Sequence, residues 1–174
     1  MTFPVFASGD VLNASDMNGV GMWLVKSQAV GSGVASVTVT GAFSSDYDNY
    51  LVTYAGGTMS VDTALGMQLG STTTGYSGNF IYALSTGTVV ATANENNTAR
   101  WTYVGGGANC AVNATIMNPF LARATRVGAP VGYGSTFGNY TGVEASTTSH
   151  TACTLIPFSG TLTGGTIRVY GYRN

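Results

Sequence analysis

The single histidine, His150 in the stretch TTSHTAC, is the side chain best suited to moving protons near neutral pH. A serine hydrolase would place such a histidine beside a serine on a sharp turn with the spacing Gly-x-Ser-x-Gly. That spacing does not occur in the sequence, and GYGSTFG, residues 132–138, has a different one. We therefore expect His150 to lie in a turn or at the start of a strand, with no catalytic role.

Paired carboxylates are the second chemistry to consider, because glycoside hydrolysis needs two of them facing each other across a groove. The chain has two Glu, Glu95 and Glu144, and five Asp. Asp46 and Asp48 in FSSDYDNY form the best pair, and their D-x-D-N spacing offers several oxygens to Ca²⁺. The segment lacks the glycine and the distal Glu of an EF-hand loop, so a turn leading into a strand at Tyr50 is favoured.

The two cysteines, Cys110 and Cys153, do not complete a metal site. With one histidine they cannot form a tetrahedral zinc site without help from carboxylates. We expect them to be free, buried thiols rather than a disulfide. The glycine group GGGANC, residues 105–110, does not stand between a strand and a helix, so it predicts a loop or bulge and not a phosphate cradle. The sequence thus predicts no enzyme, no metal and no cofactor.

Charge is scarce in the 174 residues, with six Lys and Arg against seven Asp and Glu. The basic residues are scattered, apart from Arg123 and Arg126, so no stripe is predicted that could neutralise nucleic-acid phosphates. A net charge of −1 gives copies little mutual repulsion, which suits a protein held in an assembly. The sequence shows neither a signal peptide nor an apolar run of roughly 20 residues, so we expect folding in a cytosol and no membrane insertion.

From Trp23 onward, short apolar stretches at period two alternate with Gly, Ser, Asn and Thr. In VASVTVTGAF, residues 34–43, Val37 and Val39 alternate with hydroxylated residues, as in a strand with one face in water. Similar stretches bring the count to roughly ten strands, with turn signals about every 10–15 residues. This pattern predicts an all-β, antiparallel β-sandwich or jelly roll over residues 31–174, without a helix longer than about two turns.

The opening segment does not follow this alternation, and residues 1–30 are interpreted as an N-terminal arm. Pro4 disfavours helix at the residue before it, so the opening Phe-Pro-Val-Phe is predicted to be extended. Asn13 or Ser15 is a suitable cap for a short helix that ends at about Gly19. Four apolar residues of the arm need a surface to cover, either on another chain or on the sandwich itself: Phe3, Phe6, Leu12 and Met17.

Three stretches carry a resemblance to known proteins. FASGDVLNASDMNGVG, residues 6–21, resembles the short opening found on many tail, fibre and virion proteins of tailed bacteriophages. FSSDYDNYLVTYAGG, residues 43–57, and SGTLTGGTIRVYGYRN, residues 159–174, are similar to strands of small β-sandwich domains at phage fibre tips and on virion surfaces. The resemblance implies a virion protein whose arm binds other virion proteins through its four apolar residues, and whose sandwich projects, commonly as a homotrimer.

We therefore expect a short tail fibre, tip or minor tail protein that binds a host-surface glycan or protein through many weak contacts. The loops expected to make those contacts lie around residues 72–77, 95–98 and 129–135. The alternative is a capsid decoration or cement protein, as a head knob or head fibre, that stabilises the head through the same arm. A third interpretation is a small polysaccharide depolymerase, which needs a carboxylate pair that the strand spacing does not supply.

Overall fold

The structure is a computed structural model of the chain, and it describes residues 8–9, 21–87 and 90–172. Within those ranges the regular elements are all β-strands, because Thr, Val and Tyr fit a pleated sheet better than a helix. The same ranges contain no helix that could cross a membrane. The strands follow in chain order: β1 (Met22–Ala29), β2 (Val37–Thr40), β3 (Asn49–Ala55), β4 (Thr58–Met59), β5 (Ala64–Leu69), β6 (Tyr76–Leu84), β7 (Val90–Thr98), β8 (Trp101–Gly106), β9 (Ala111–Met117), β10 (Thr125–Tyr133), β11 (Thr136–Glu144), β12 (Ala152–Pro157), β13 (Leu162–Thr163) and β14 (Thr166–Tyr172).

Eight of these strands pair in the order of a jelly roll, the first with the last and so on inward. β1 pairs antiparallel with β14, β2 with β12, β3 with β9, and β5 with β8. The pairs form two layers around one core, β1-β14-β3-β9 and β2-β12-β5-β8. The predicted all-β antiparallel sandwich is confirmed. Each of the ten stretches predicted as strands contains one, and they begin at Trp23, Val34, Tyr50, Leu65, Ser77, Ala99, Asn109, Phe137, His150 and Thr166. The strands that the sequence pattern missed are β4, β7, β10 and β13.

Two hairpins are inserted into the roll. The β6–β7 hairpin lies between β5 and β8, and the β10–β11 hairpin lies between β9 and β12. Because β6 pairs with β11 and β10 pairs with β9, the hairpins extend one layer to the order β1-β14-β3-β9-β10-β11-β6-β7. We call these eight strands the wide layer and β2-β12-β5-β8 the narrow layer. The two layers join at a corner, where Gly105 and Gly106 of β8 pair with Val112 and Ala111 of β9.

The core lies between the two layers and follows the predicted alternation. Val37 and Val39 of β2 are buried, while the threonines beside them are exposed. Tyr76 of the wide layer and Trp101 of the narrow layer are fully buried and meet edge to face, with their ring centroids 5.2 Å apart. Burial of one large apolar side chain contributes about 1.5–3 kcal/mol. Such contacts hold the inserted hairpins against the roll as well as the roll itself.

The first thirty residues are described in part. Residues 22–29 of the segment interpreted as an arm form β1 and pair along β14, which confirms the strand predicted at Trp23. The extended stretch at Pro4 and the short helix capped by Asn13 or Ser15 lie outside the described residues. So do the four apolar arm residues, and their role stays a prediction: Phe3, Phe6, Leu12 and Met17.

Candidate functional site

His150 lies two residues before β12, next to the predicted strand start, and it has a buried partner. Its Nε2 is 2.9 Å from Oε2 of Glu144, the last residue of β11. Ser146 donates hydrogen bonds to the same carboxylate from its amide nitrogen and its hydroxyl, both at 2.8 Å. Glu144 is 0% and His150 2% exposed, so solvent does not reach this pair.

Glu144, Ser146 and His150 form what we call the Glu144 cluster, and their contacts do not suit nucleophilic catalysis. Its serine hydroxyl contacts the carboxylate, whereas an activated serine must contact the imidazole. The backbone around it is fastened as well, since His150 N donates to Pro119 O at 2.8 Å and Ala145 N donates to Gly75 O at 3.0 Å. The side-chain bonds therefore hold the connection between β11 and β12 in its own conformation, and the two backbone bonds anchor it to two neighbouring connections.

Asp46 and Asp48 lie in the turn that leads into β3, as predicted. Asp46 Oδ2 accepts a hydrogen bond from Ser44 Oγ at 3.0 Å, and the side chain is exposed. In the part of the chain that the structure describes, no group of three His, Cys, Asp or Glu is placed to hold a metal ion. The pair thus shapes a turn.

Cys110 and Cys153 are free and buried, which confirms the prediction from the sequence. Burial raises the pKa of each thiol to about 12, because a thiolate loses its hydration in the apolar core. Both sulfurs are therefore protonated at neutral pH. A protonated, buried thiol is neither a nucleophile nor a metal ligand.

Glu95 of β7 connects one inserted hairpin to the narrow layer. Its Oε1 accepts a hydrogen bond from Thr102 N at 3.0 Å, and its Oε2 accepts one from the hydroxyl of Tyr140. Burial raises the pKa of Tyr140, and the bond to Glu95 raises it further because the neutral hydroxyl is the donor. Thr102 lies on β8, so the carboxylate supplies an acceptor to the edge of that strand. Its contacts assign this carboxylate a role in packing the sandwich.

The three regions expected to form binding loops are partly strands, and they do not all lie at the same end of the sheet. Residues 72–75 form a connection, and Gly75 N donates to Asn97 Oδ1 at 2.9 Å, which brings the first two regions together. The expectation of a loop at residues 95–98 is wrong, because they are the end of β7, where Asn97 has a φ of 54°. The expectation of a loop at residues 129–135 is wrong for most of its length, because residues 129–133 belong to β10. Its remaining turn lies at the opposite end of the strands from Asn97.

One face of the wide layer packs on the core and the other faces outward. The outward face carries a cluster of large apolar and aromatic side chains. Met22 and Leu24 of β1 are 48% and 55% exposed, and the register places them beside Tyr172 and Tyr170 of β14. Leu51 of β3 follows Tyr170 in the same row across the sheet. We call these five residues the apolar patch. None of them belongs to the buried core or packs against it.

Charge is almost missing from the same outward face. At the outward positions given by the register, the described side chains include two charged groups, Arg126 and Arg168, and no carboxylate. The sequence contained a signal for this surface, because Leu51 interrupts the polar half of an alternating strand. A strand with apolar residues on both faces has one face for the core and a second face suited to contact with a partner.

A cleft of about 650 Å³ lies beside the corner between the layers. β10 pairs with β9 only at residues 126–128, and β9 pairs with β8 at its other end, so β9 and β10 separate beyond Gly128. The cleft fills the resulting fork between the β8–β9 turn and the β10–β11 hairpin. Its walls are rich in glycine, and its larger side chains come from four segments: Asp62, Asn109, Asn113, Tyr133 and Phe137.

In comparisons with known proteins, no protein-family model, no curated protein and no solved structure matches this chain. The surfaces and contacts described above are therefore the grounds on which its function is inferred.

Proposed function

We propose that the chain is a virion structural protein of a tailed bacteriophage, a short tail fibre, tip or minor tail protein. The part of its N-terminal arm that precedes β1 binds other virion proteins, and its jelly roll, which includes β1, forms a homotrimer that binds the host surface. The resemblance of the opening segment to phage virion proteins supports the first part. The jelly roll supports the second, since this fold is common in viral capsid and lectin domains.

The observation that carries the proposal is the apolar patch on a face without carboxylates. A group of large, exposed or partly exposed side chains on a sheet face that no other described strand covers marks an interaction surface. Among the described side chains of the outward face, Arg126 and Arg168 are the charged ones, so few like charges oppose contact with a second copy. A homo-oligomer through this face buries Leu24, Leu51 and Tyr170, which suits a chain whose net charge of −1 gives separate copies little mutual repulsion.

The oligomeric state tests this part of the proposal. We expect light scattering on the purified chain to give three times the chain mass of 17.8 kDa. Because a buried carboxylate is costly, the variant Leu24→Asp combined with Leu51→Asp should give a folded monomer. Phe158→Asp is the matched control, since Phe158 is 63% exposed and lies outside the wide layer. A wild-type monomer, or a trimer that withstands the double substitution, contradicts self-association through the apolar patch.

The number of copies per virion tests the place of the protein. We expect quantitative mass spectrometry of purified virions to give a few copies in multiples of three, compared with the major capsid protein. A copy number comparable to the capsid protein would identify a decoration protein and reject the tail assignment. If the chain is absent from virions, both structural roles are rejected.

A further inference from the structure

We propose that the cleft beside the corner binds a neutral saccharide, an inference that rests on the proposed host-binding function and names its ligand class. The volume of about 650 Å³ lies within the range of about 300–1,000 Å³ that is usual for small-molecule sites. A neutral sugar ring presents an apolar C–H face and a rim of hydroxyl groups. The cleft has a partner for each.

Phe137 supplies the apolar contact. The residue is 53% exposed and lies on β11 opposite Gly132 of β10. A Cβ atom at Gly132 would come within 3.0 Å of Cδ1 of Phe137, so the glycine allows the ring to lie close to the strand. A ring positioned in this way keeps its outer surface free, and flat aromatic surfaces of this kind anchor ligands in open sites.

Polar side chains next to the ring supply partners for hydroxyl groups. Asn109 and Asn113 line the cleft, are exposed, and make no side-chain hydrogen bond to any described residue. Each amide therefore offers both a donor and an acceptor, the pair that a sugar hydroxyl requires. Asp62 Oδ1 accepts a hydrogen bond from Gly134 N at 2.9 Å, which holds the carboxylate at the rim with a second oxygen as a further acceptor.

The charge of the lining selects a neutral ligand. Asp62 is the one charged side chain among the described residues that line the cleft, and neither Lys nor Arg joins it. An anion such as a phosphate would lack a charged partner and would face this carboxylate. A purely apolar ligand would cover the amides of Asn109 and Asn113 without pairing them, which costs free energy. A neutral polyhydroxylated ring avoids both penalties.

Saturation-transfer NMR and titration of the purified full-length chain test the inference with the methyl glycosides of glucose, galactose, mannose and N-acetylglucosamine as probes. We expect at least one probe to bind with a Kd on the order of millimolar, as weak single contacts do. Phe137→Ala and Asn113→Ala should each weaken that binding by about tenfold. The matched controls are Ile81→Ala and Asn139→Ala, because both residues are exposed on the same face and lie outside the cleft.

Each outcome decides between this inference and the function on which it rests. Weaker binding in the two cleft variants alone supports the saccharide site. Equal binding by wild type and cleft variants, or equal losses in the controls, overturns it. If the cleft variants change the mass in light scattering instead, the occupant is a second copy and the inference fails. If no glycoside binds while the protein still binds host cells, the saccharide inference fails and the host-binding function stands; without cell binding, both fail.

Discussion

Replacing Glu144 by Gln should destabilise the fold far more than an ordinary loss of one charge. Two donors, Ser146 Oγ at 2.8 Å and His150 Nε2 at 2.9 Å, point at one carboxylate oxygen, and Ser146 N points at the other. In either orientation a Gln amide turns its own donor toward at least one of them. A hydrogen bond to a charged group contributes about 1.5–3 kcal/mol, and an unpaired buried donor costs about 1–3 kcal/mol. We expect the free energy of unfolding to fall by about 2–4 kcal/mol.

Urea unfolding of wild type, Glu144→Gln, His150→Leu and the double variant measures this effect together with the coupling between the two residues. Because the pair is buried, the two losses should not add, and we expect a coupling free energy of about 1–3 kcal/mol. Asp46→Asn is the matched control, since Asp46 also accepts a bond from a serine two residues away but is exposed. Its effect should stay within about 0.5 kcal/mol. If Glu144→Gln lowers the free energy of unfolding by no more than Asp46→Asn does, or if the losses of the two single variants add in the double variant, this account of the cluster is refuted.

Two further predictions concern the glycines and the thiols. Gly138→Ala should lower the free energy of unfolding by about 2 kcal/mol or more, because its Cβ would lie 2.0 Å from Ile81 O. Gly128→Ala is the control, since its Cβ would meet no atom within 4 Å, and it should be neutral or stabilising by up to about 1 kcal/mol. Equal urea midpoints for the two variants would contradict the close approach of β11 and β6 at Gly138. Since burial raises the pKa of Cys110 and Cys153 to about 12, both thiols should resist a disulfide reagent at pH 8 until the protein unfolds; rapid modification of the native chain would contradict their burial.

The strands of the jelly roll could be predicted from the sequence, and the reason is local. In β2 and β14 the apolar residues alternate with polar ones, so the pattern alone identifies the buried face. β10 was missed because Gly128, Pro130 and Gly132 are typical of a turn. All three occupy one side of the strand, while Val127 and Val131 on the other side are buried. Pro130 follows the last residues that pair with β9, so its missing N–H falls where that edge of β10 has no strand partner.

The contacts of the carboxylates could not be predicted in the same way. Glu95 meets Thr102 and Tyr140, and Tyr140 lies 45 residues away along the chain. That meeting depends on the pairing of β6 with both β7 and β11, which no periodicity in the sequence encodes. Glu144 and His150 are close in sequence, but only the packing of the connections around them makes the pair buried. Long-range register therefore determines which carboxylates are exposed and which are structural.

The jelly roll carries the apolar patch and the inserted β10–β11 hairpin forms one side of the cleft, so the two proposed surfaces do not use the same strands. The apolar patch lies on β1, β14 and β3, whereas the cleft is bounded by the β8–β9 turn, β9, β10 and β11. Contact between copies through the patch therefore leaves the Phe137 side of the wide layer open, and each copy contributes one cleft at a fixed spacing. A single exposed cleft with weak contacts gains affinity when several copies bind together, since each later contact forms at a high effective concentration. Substitutions in the apolar patch that dissociate the copies should for that reason weaken binding to cells much more than binding to a single methyl glycoside.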